Sequence, residues 1–195
     1  MRPYNPPIDV LLVCTANQCR SPMAEVLLAR RLADAGVDAT VSSAGLLQGG
    51  RPATADGVAA MAARGLDLSG HESRTMTADL VGRADLVIGM AREHVREAAL
   101  LAPDVLAKSF TLKELVQRAE VIGTRRTGDD LPTWLSQLAA DRRLEDLLGV
   151  AYDERVDVFD PVGRGRRQYE ETAVLLDDLL TRLVALAWPR AEVTA

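Results

Sequence analysis

Cys14 and Arg20 stand six positions apart in Cys14-Thr15-Ala16-Asn17-Gln18-Cys19-Arg20-Ser21-Pro22, and the chain's two cysteines both fall in this stretch. A thiol, a short loop and a guanidinium suit nucleophilic chemistry at an anionic centre. Loop amides converging on a helix start offer unpaired N–H groups, and the positive end of the helix dipole adds to them. Phosphate fits such a site: a planar guanidinium takes two phosphoryl oxygens while the loop N–H groups take the others. The same field favours the thiolate, which makes Cys14 a nucleophile at neutral pH without a dedicated base. Displacement at phosphorus leaves a phosphocysteine and an alcohol or phenol leaving group that needs a proton. Asp160, in Val158-Phe159-Asp160-Pro161, is the candidate acid, presented by an apolar approach and a proline-fixed turn.

Positioning these groups takes a strand before the loop and a helix after it. Residues 8–13 are a short apolar run suited to a strand buried on both faces, ending at Cys14. Ser21 reads as the N-cap and Pro22 as the first helical residue of a helix that Gly36 stops. Further strands are expected over 40–45, 84–90 and 105–110, and helices over 54–64, closed by Gly65, and over 91–101. His94 falls on the second of these helices, on what reads as an exposed face. Thr111 and Glu114 open another helix with a capping box. Alternating strands and helices imply a parallel sheet covered on both sides, with the ligand site at the strands' carboxyl ends. Cys14, Ser43 and Met90 fall there.

Composition changes over about 117–156, which reads as an inserted helical subelement carrying Trp134, Leu135, Leu138, Leu144 and Leu147. The last helix is expected over 166–187, with Tyr169, Ala173, Leu176, Leu179, Leu180 and Leu183 on one stripe. A chain of 195 residues, 48% hydrophobic and 26% charged, suits a single domain over 1–195. Its net charge of −5 argues against a nucleic-acid partner. No apolar stretch reaches the ~18 residues that span a bilayer, and MRPYNPPID lacks the apolar centre of a secretory signal. The expectation is a cytoplasmic protein without membrane insertion, its cysteines kept as thiols. Neither histidine supports a metal site.

The stretch 14–22 resembles the signature of the low-molecular-weight protein tyrosine phosphatases, and Asp160-Pro161 resembles their late acid loop. The likeness runs from Val10 to about Phe110 and from Val156 to the C-terminus, leaving 117–156 outside the common core. It implies a flavodoxin-like three-layer α/β sandwich with a four-stranded parallel sheet in the order 2-1-3-4 and a helical insertion before the acid loop. It also implies a phosphomonoester hydrolase that needs no cofactor or metal. Cys14 would be the nucleophile and Asp160 the general acid. Arg20 would bind phosphate together with the loop formed by Thr15, Ala16, Asn17, Gln18, Cys19 and Ser21. Asn17, Ser21, Ser43 and His71 would form the supporting polar network, with Ser21 also assisting the thiolate. Cys19 would be the family's second loop cysteine, able to close a disulfide with Cys14 under peroxide. The implied partner is a phosphorylated substrate, either a phosphotyrosine protein or a smaller phosphate ester; the oligomeric state is left open.

Three positions depart from the family pattern. Ala16 stands where glycine is usual, Val162 follows Asp160-Pro161 where an aromatic is common, and Leu46 and Leu47 form a pocket wall without an aromatic. Residues 163–167, Gly-Arg-Gly-Arg-Arg, read as a solvated basic turn, with contact to an acidic or phosphorylated substrate as the alternative. Two alternatives stay open. One is an arsenate reductase using an external small thiol, since no cysteine follows Cys19 to collect a disulfide. The other is a non-catalytic phosphate-binding module.

Overall fold

Residues 7–126, 128–142, 144–147 and 152–189 are described by the computed structural model. Strand β1 (Ile8–Cys14) sends Val10, Leu12 and Cys14 into one apolar core and Leu11 and Val13 into another, the period-2 alternation of a strand buried on both faces. β2 (Ala39–Gly45), β3 (Leu86–Gly89) and β4 (Ser109–Thr111) complete a parallel sheet in the order β2-β1-β3-β4. α1 (Arg20–Asp34), α2 (Ala55–Ala62), α5 (Leu112–Ile122), α6 (Leu131–Ala139) and α7 (Arg166–Ala187) bury residues in the larger core. α3 (Ala78–Arg83) and α4 (Arg92–Leu101) cover the other face. The result is the expected flavodoxin-like three-layer arrangement.

Local boundaries differ in ways that matter for the site. α1 starts at Arg20, so Ser21 lies inside its first turn and is not the N-cap. Cys19 takes the cap position without a side-chain cap bond, leaving the first turn with the unpaired N–H groups that an anion site uses. The fourth strand covers only Ser109–Thr111, because Pro103–Lys108 winds into a 3-10 turn with proline in its first turn. Ser109 Oγ closes that turn by donating to the Val105 carbonyl at 2.8 Å. The Thr111–Glu114 capping box forms in both directions, at 3.2 and 3.4 Å. Helix α3, which the sequence pattern did not flag, is capped by Thr77 accepting from Leu80 N–H at 3.3 Å. His94 is fully buried, together with Val95 and Ala98, so the exposed face expected for it is corrected.

The segment expected as an insertion begins inside α5, which runs unbroken to Ile122. Beyond it, α6 places Leu131, Trp134, Leu135 and Leu138 in the larger core, and Trp134 Nε1 donates to the Gly123 carbonyl at 3.2 Å. Leu147 is buried in a 3-10 turn, Leu144–Leu147; the Leu144 side chain lies outside the described residues. α7 buries the full expected stripe from Tyr169 to Leu183. No described helix is long and apolar enough to cross a membrane.

Candidate active site

The loop from Cys14 to Arg20 joins the carboxyl end of β1 to the start of α1. Asn17 is the one described non-glycine residue with a left-handed backbone, at φ 52°, a conformation that Asn tolerates better than most residues. Ala16 is not left-handed, so the loss of the usual glycine costs the loop nothing in backbone strain. Every polar group of Asn17 is used. Its Nδ2 donates to Ser21 Oγ at 3.0 Å and to Ser43 Oγ at 2.7 Å, and its Oδ1 accepts from Arg74 N–H at 2.9 Å. His71 Nε2 lies 2.7 Å from the Asn17 carbonyl and must donate, because that oxygen can only accept. Gly45, at the end of β2, lies so close that a Cβ there would sit 2.8 Å from the Asn17 nitrogen.

This network aims two donors at Cys14 Sγ: the Asn17 N–H at 3.2 Å and the Ser21 hydroxyl at 3.0 Å. Arg20 closes the loop from the other side. Its Nη1 donates to the Val158 carbonyl at 3.1 Å, and its Nη2 donates to Thr15 Oγ1 at 3.2 Å and contacts Asp160 Oδ2. Arg20 Nε is buried without a partner among the described residues. An orphaned guanidinium N–H costs free energy unless an acceptor arrives.

The profile described as "Low molecular weight phosphotyrosine protein phosphatase" matches residues 9–123. The chain belongs to that family. It is 35% identical over 122 residues to the low molecular weight protein-tyrosine-phosphatase Etp of Escherichia coli (strain K12), covering 63% of this chain and 80% of the relative. It is 34% identical over 143 residues to the Protein-arginine-phosphatase of Bacillus subtilis (strain 168), covering 68% and 95%. The crystal structure of a low molecular weight protein tyrosine phosphatase from T. tengcongensis superposes with a TM-score of 0.68 at 30% identity, covering 91% of this chain and 97% of that one. Family membership makes this chain a phosphatase, with a phosphorylated substrate.

The profile match ends before α6, so the region around Asp160 stands on its own geometry. Val158 N–H donates to the Met90 carbonyl at 2.7 Å, fastening the segment that carries Asp160 to the end of β3. Asp157, buried, accepts from the Arg92 N–H at 2.9 Å and from the Asp153 N–H at 2.8 Å, and it also pairs with the Arg92 guanidinium. Asp160 Oδ1 accepts from Val162 N–H at 3.1 Å while its other oxygen meets Arg20. A cavity of about 520 Å³ opens here, lined by Thr15, Arg20, Asp160 and the aromatic pair Tyr152 and Phe159. Those rings meet edge to face, 5.8 Å between centroids. Arg164, from the basic turn, lies 5.8 Å over Phe159 and joins the same wall.

All the site residues expected from the sequence gather at this end of the sheet, and several others join them. Glu25 accepts from Ser43 Oγ at 2.5 Å, and Arg74 Nε donates to the Ser43 carbonyl at 2.7 Å. Gln18 contributes its carbonyl, which accepts from Thr54 N–H at 2.8 Å. Cys19 is buried, and that burial, with Asp160 and Cys14 nearby, pushes its thiol up to about 12. His94 reaches the loop from α4, its Nε2 3.1 Å from Thr15 Oγ1. The aromatic missing at Val162 has counterparts in Tyr152 and Phe159, which a search beside Pro161 alone overlooks.

Proposed function

We propose that this chain hydrolyses phosphomonoesters in two steps through a phosphocysteine on Cys14. The Cys14 thiolate attacks phosphorus, the bond from phosphorus to the leaving oxygen breaks, and protonated Asp160 gives that oxygen its proton. Water then attacks the phosphocysteine, losing a proton to the Asp160 carboxylate, and the S–P bond breaks to release phosphate and restore the thiolate. Arg20 and the loop N–H groups hold the non-bridging oxygens, with phosphate taking the Arg20 contact that Asp160 occupies in the resting site. Ser21 and Asn17 N–H support the sulfur as nucleophile and as leaving group. No step calls for a metal. We read residues 1–195 as one such domain, with the α6 region as its insertion, working in the cytoplasm.

The observation that carries this reading is Arg20: a buried Nε without a partner among the described residues, an Nη2 against Asp160, and a doubly hydrogen-bonded sulfur at the other end of the same loop. Tyr152 and Phe159 beside Asp160 favour an aryl phosphate such as phosphotyrosine. A second reading, phosphoarginine, is supported by the Bacillus subtilis relative, whose name states that activity and which the match covers over 95% of its length.

Release of p-nitrophenol from p-nitrophenyl phosphate in the presence of a chelator tests the mechanism. Turnover is expected in the wild type, absent in Cys14→Ser, and reduced about 10²- to 10⁴-fold in kcat in Asp160→Ala. Turnover retained in Cys14→Ser contradicts the proposal. Phosphatase inactivity combined with thiol-dependent arsenate reduction would favour the reductase instead. Phosphotyrosine and phosphoarginine peptides compared on the wild type decide the substrate.

A further inference from the structure

We propose that His94 is a positioning residue for the phosphate loop: its Nε2–H fixes the Thr15 hydroxyl, and through it the Arg20 guanidinium, in the orientation that receives phosphate. The inference rests on the reading of Arg20 as the phosphate ligand. Four hydrogen bonds define the arrangement. The Ala91 N–H donates to His94 Nδ1 at 2.8 Å, so Nδ1 is the acceptor and the proton of the neutral ring sits on Nε2. Nε2 lies 3.1 Å from Thr15 Oγ1, and Arg20 Nη2 donates to the same oxygen at 3.2 Å. Thr15 Oγ1 therefore accepts twice, and its own proton goes to Glu93 Oε1 at 3.3 Å. Both acceptor sites and the one proton of the hydroxyl are in use, which leaves it a single orientation.

The ring is neutral for physical reasons. Burial and then the charge of Arg20 push its pKa down to about 3. The hydrogen bond with the Ala91 backbone pulls the other way without offsetting them. The donor thus orients the loop without adding a buried charge. Its value lies in what Arg20 does during turnover. Asp160 must release Nη2 when phosphate enters, after which, among the described residues, the Val158 carbonyl and Thr15 hold the guanidinium from the protein side. A Thr15 hydroxyl free to rotate would let Arg20 recover the side-chain freedom that binding has to remove.

Three variants separate positioning from simple packing. In His94→Asn the shorter amide keeps an acceptor for the Ala91 N–H but cannot reach Thr15; in His94→Gln a longer amide reaches it; in Thr15→Val the link is cut from the loop side. Inorganic phosphate affinity by titration calorimetry and kcat/KM for p-nitrophenyl phosphate are read together with thermal unfolding. Phosphate affinity and kcat/KM are expected to fall about two- to tenfold in His94→Asn and in Thr15→Val. Gln should recover most of the loss. The double variant should be no worse than the weaker single, since both cut one link. Unchanged phosphate affinity in a folded His94→Asn, or losses that simply add in the double variant, overturn the proposal. If His94→Asn fails to fold, Thr15→Val alone decides: full phosphate affinity there overturns it. A wild type that binds no phosphate would instead bring down the reading of Arg20 on which the inference rests.

Discussion

Two flanks hold the phosphate loop, and they are built differently. On one, Asn17 is tied by its side chain to Ser21, Ser43 and Arg74 and by its carbonyl to His71, in a buried network that sets the backbone and aims donors at Cys14. On the other, Thr15 is partly exposed and reaches Arg20, His94 and Glu93, none of which shapes the loop backbone. The first flank fixes where the sulfur and amides are. The second fixes how the guanidinium points. Rigidity is concentrated around Cys14, while the Arg20 guanidinium keeps contacts that the proposed mechanism has exchange when phosphate arrives.

The largest effect should come from the Asn17 flank. Asn17→Ala leaves Ser43 and the Arg74 N–H short of a buried partner and places alanine at φ 52°. A loss of about 2–4 kcal/mol in urea-unfolding stability is expected. The same variant should lose about 10²-fold in kcat/KM. Equal stability and activity to wild type would show that the network is decorative.

The Thr15 flank should announce itself through acid. His94 has a folded pKa of about 3 against an ordinary 6.5, so below pH 6.5 the unfolded chain takes up a proton that the folded chain refuses. Stability is complete above that pH and is lost as pH falls toward 3, by about 1.4 kcal/mol per unit for this one group. His94→Asn has no such proton, so its stability should fall less steeply between pH 6.5 and 4, a difference of roughly 3 kcal/mol across the interval. Parallel slopes by urea denaturation would mean that the ring is charged in the folded protein. The smallest effect belongs to Glu93→Gln. Glu93 is half in solvent and an amide still accepts from Thr15, so KM for p-nitrophenyl phosphate should change by less than about threefold.

The loop itself was legible in the sequence, because it, the apolar run before it and the Ser-Pro after it are contiguous, while the network roles of Asn17, Ser43 and His71 came from the family resemblance. The outer members of that network were not legible: Glu25 meets Ser43 only because α1 packs along β2, and Arg74 only because its segment crosses the end of the sheet. The Thr15 flank was illegible for a related reason. A histidine on a helix rich in Arg and Glu reads as solvated until the helix is seen docked on β3 and β4 with that face inward. Ser21 misled in the opposite direction. A serine before a proline reads as a cap, yet its hydroxyl is spent on sulfur, a use that the family resemblance implied and the helix pattern does not encode. Tyr152 fell in the stretch read as an inserted subelement, yet it joins Asp160 on the cavity wall.

The central claim is that Cys14 carries phosphorus during turnover. Rapid acid quenching of the wild type with ³²P-labelled p-nitrophenyl phosphate, followed by peptide mapping, tests it directly. Label on the peptide containing Cys14, formed in step with a burst of p-nitrophenol and absent from Cys14→Ser, is the expected result; a full burst with no labelled Cys14 peptide would contradict it.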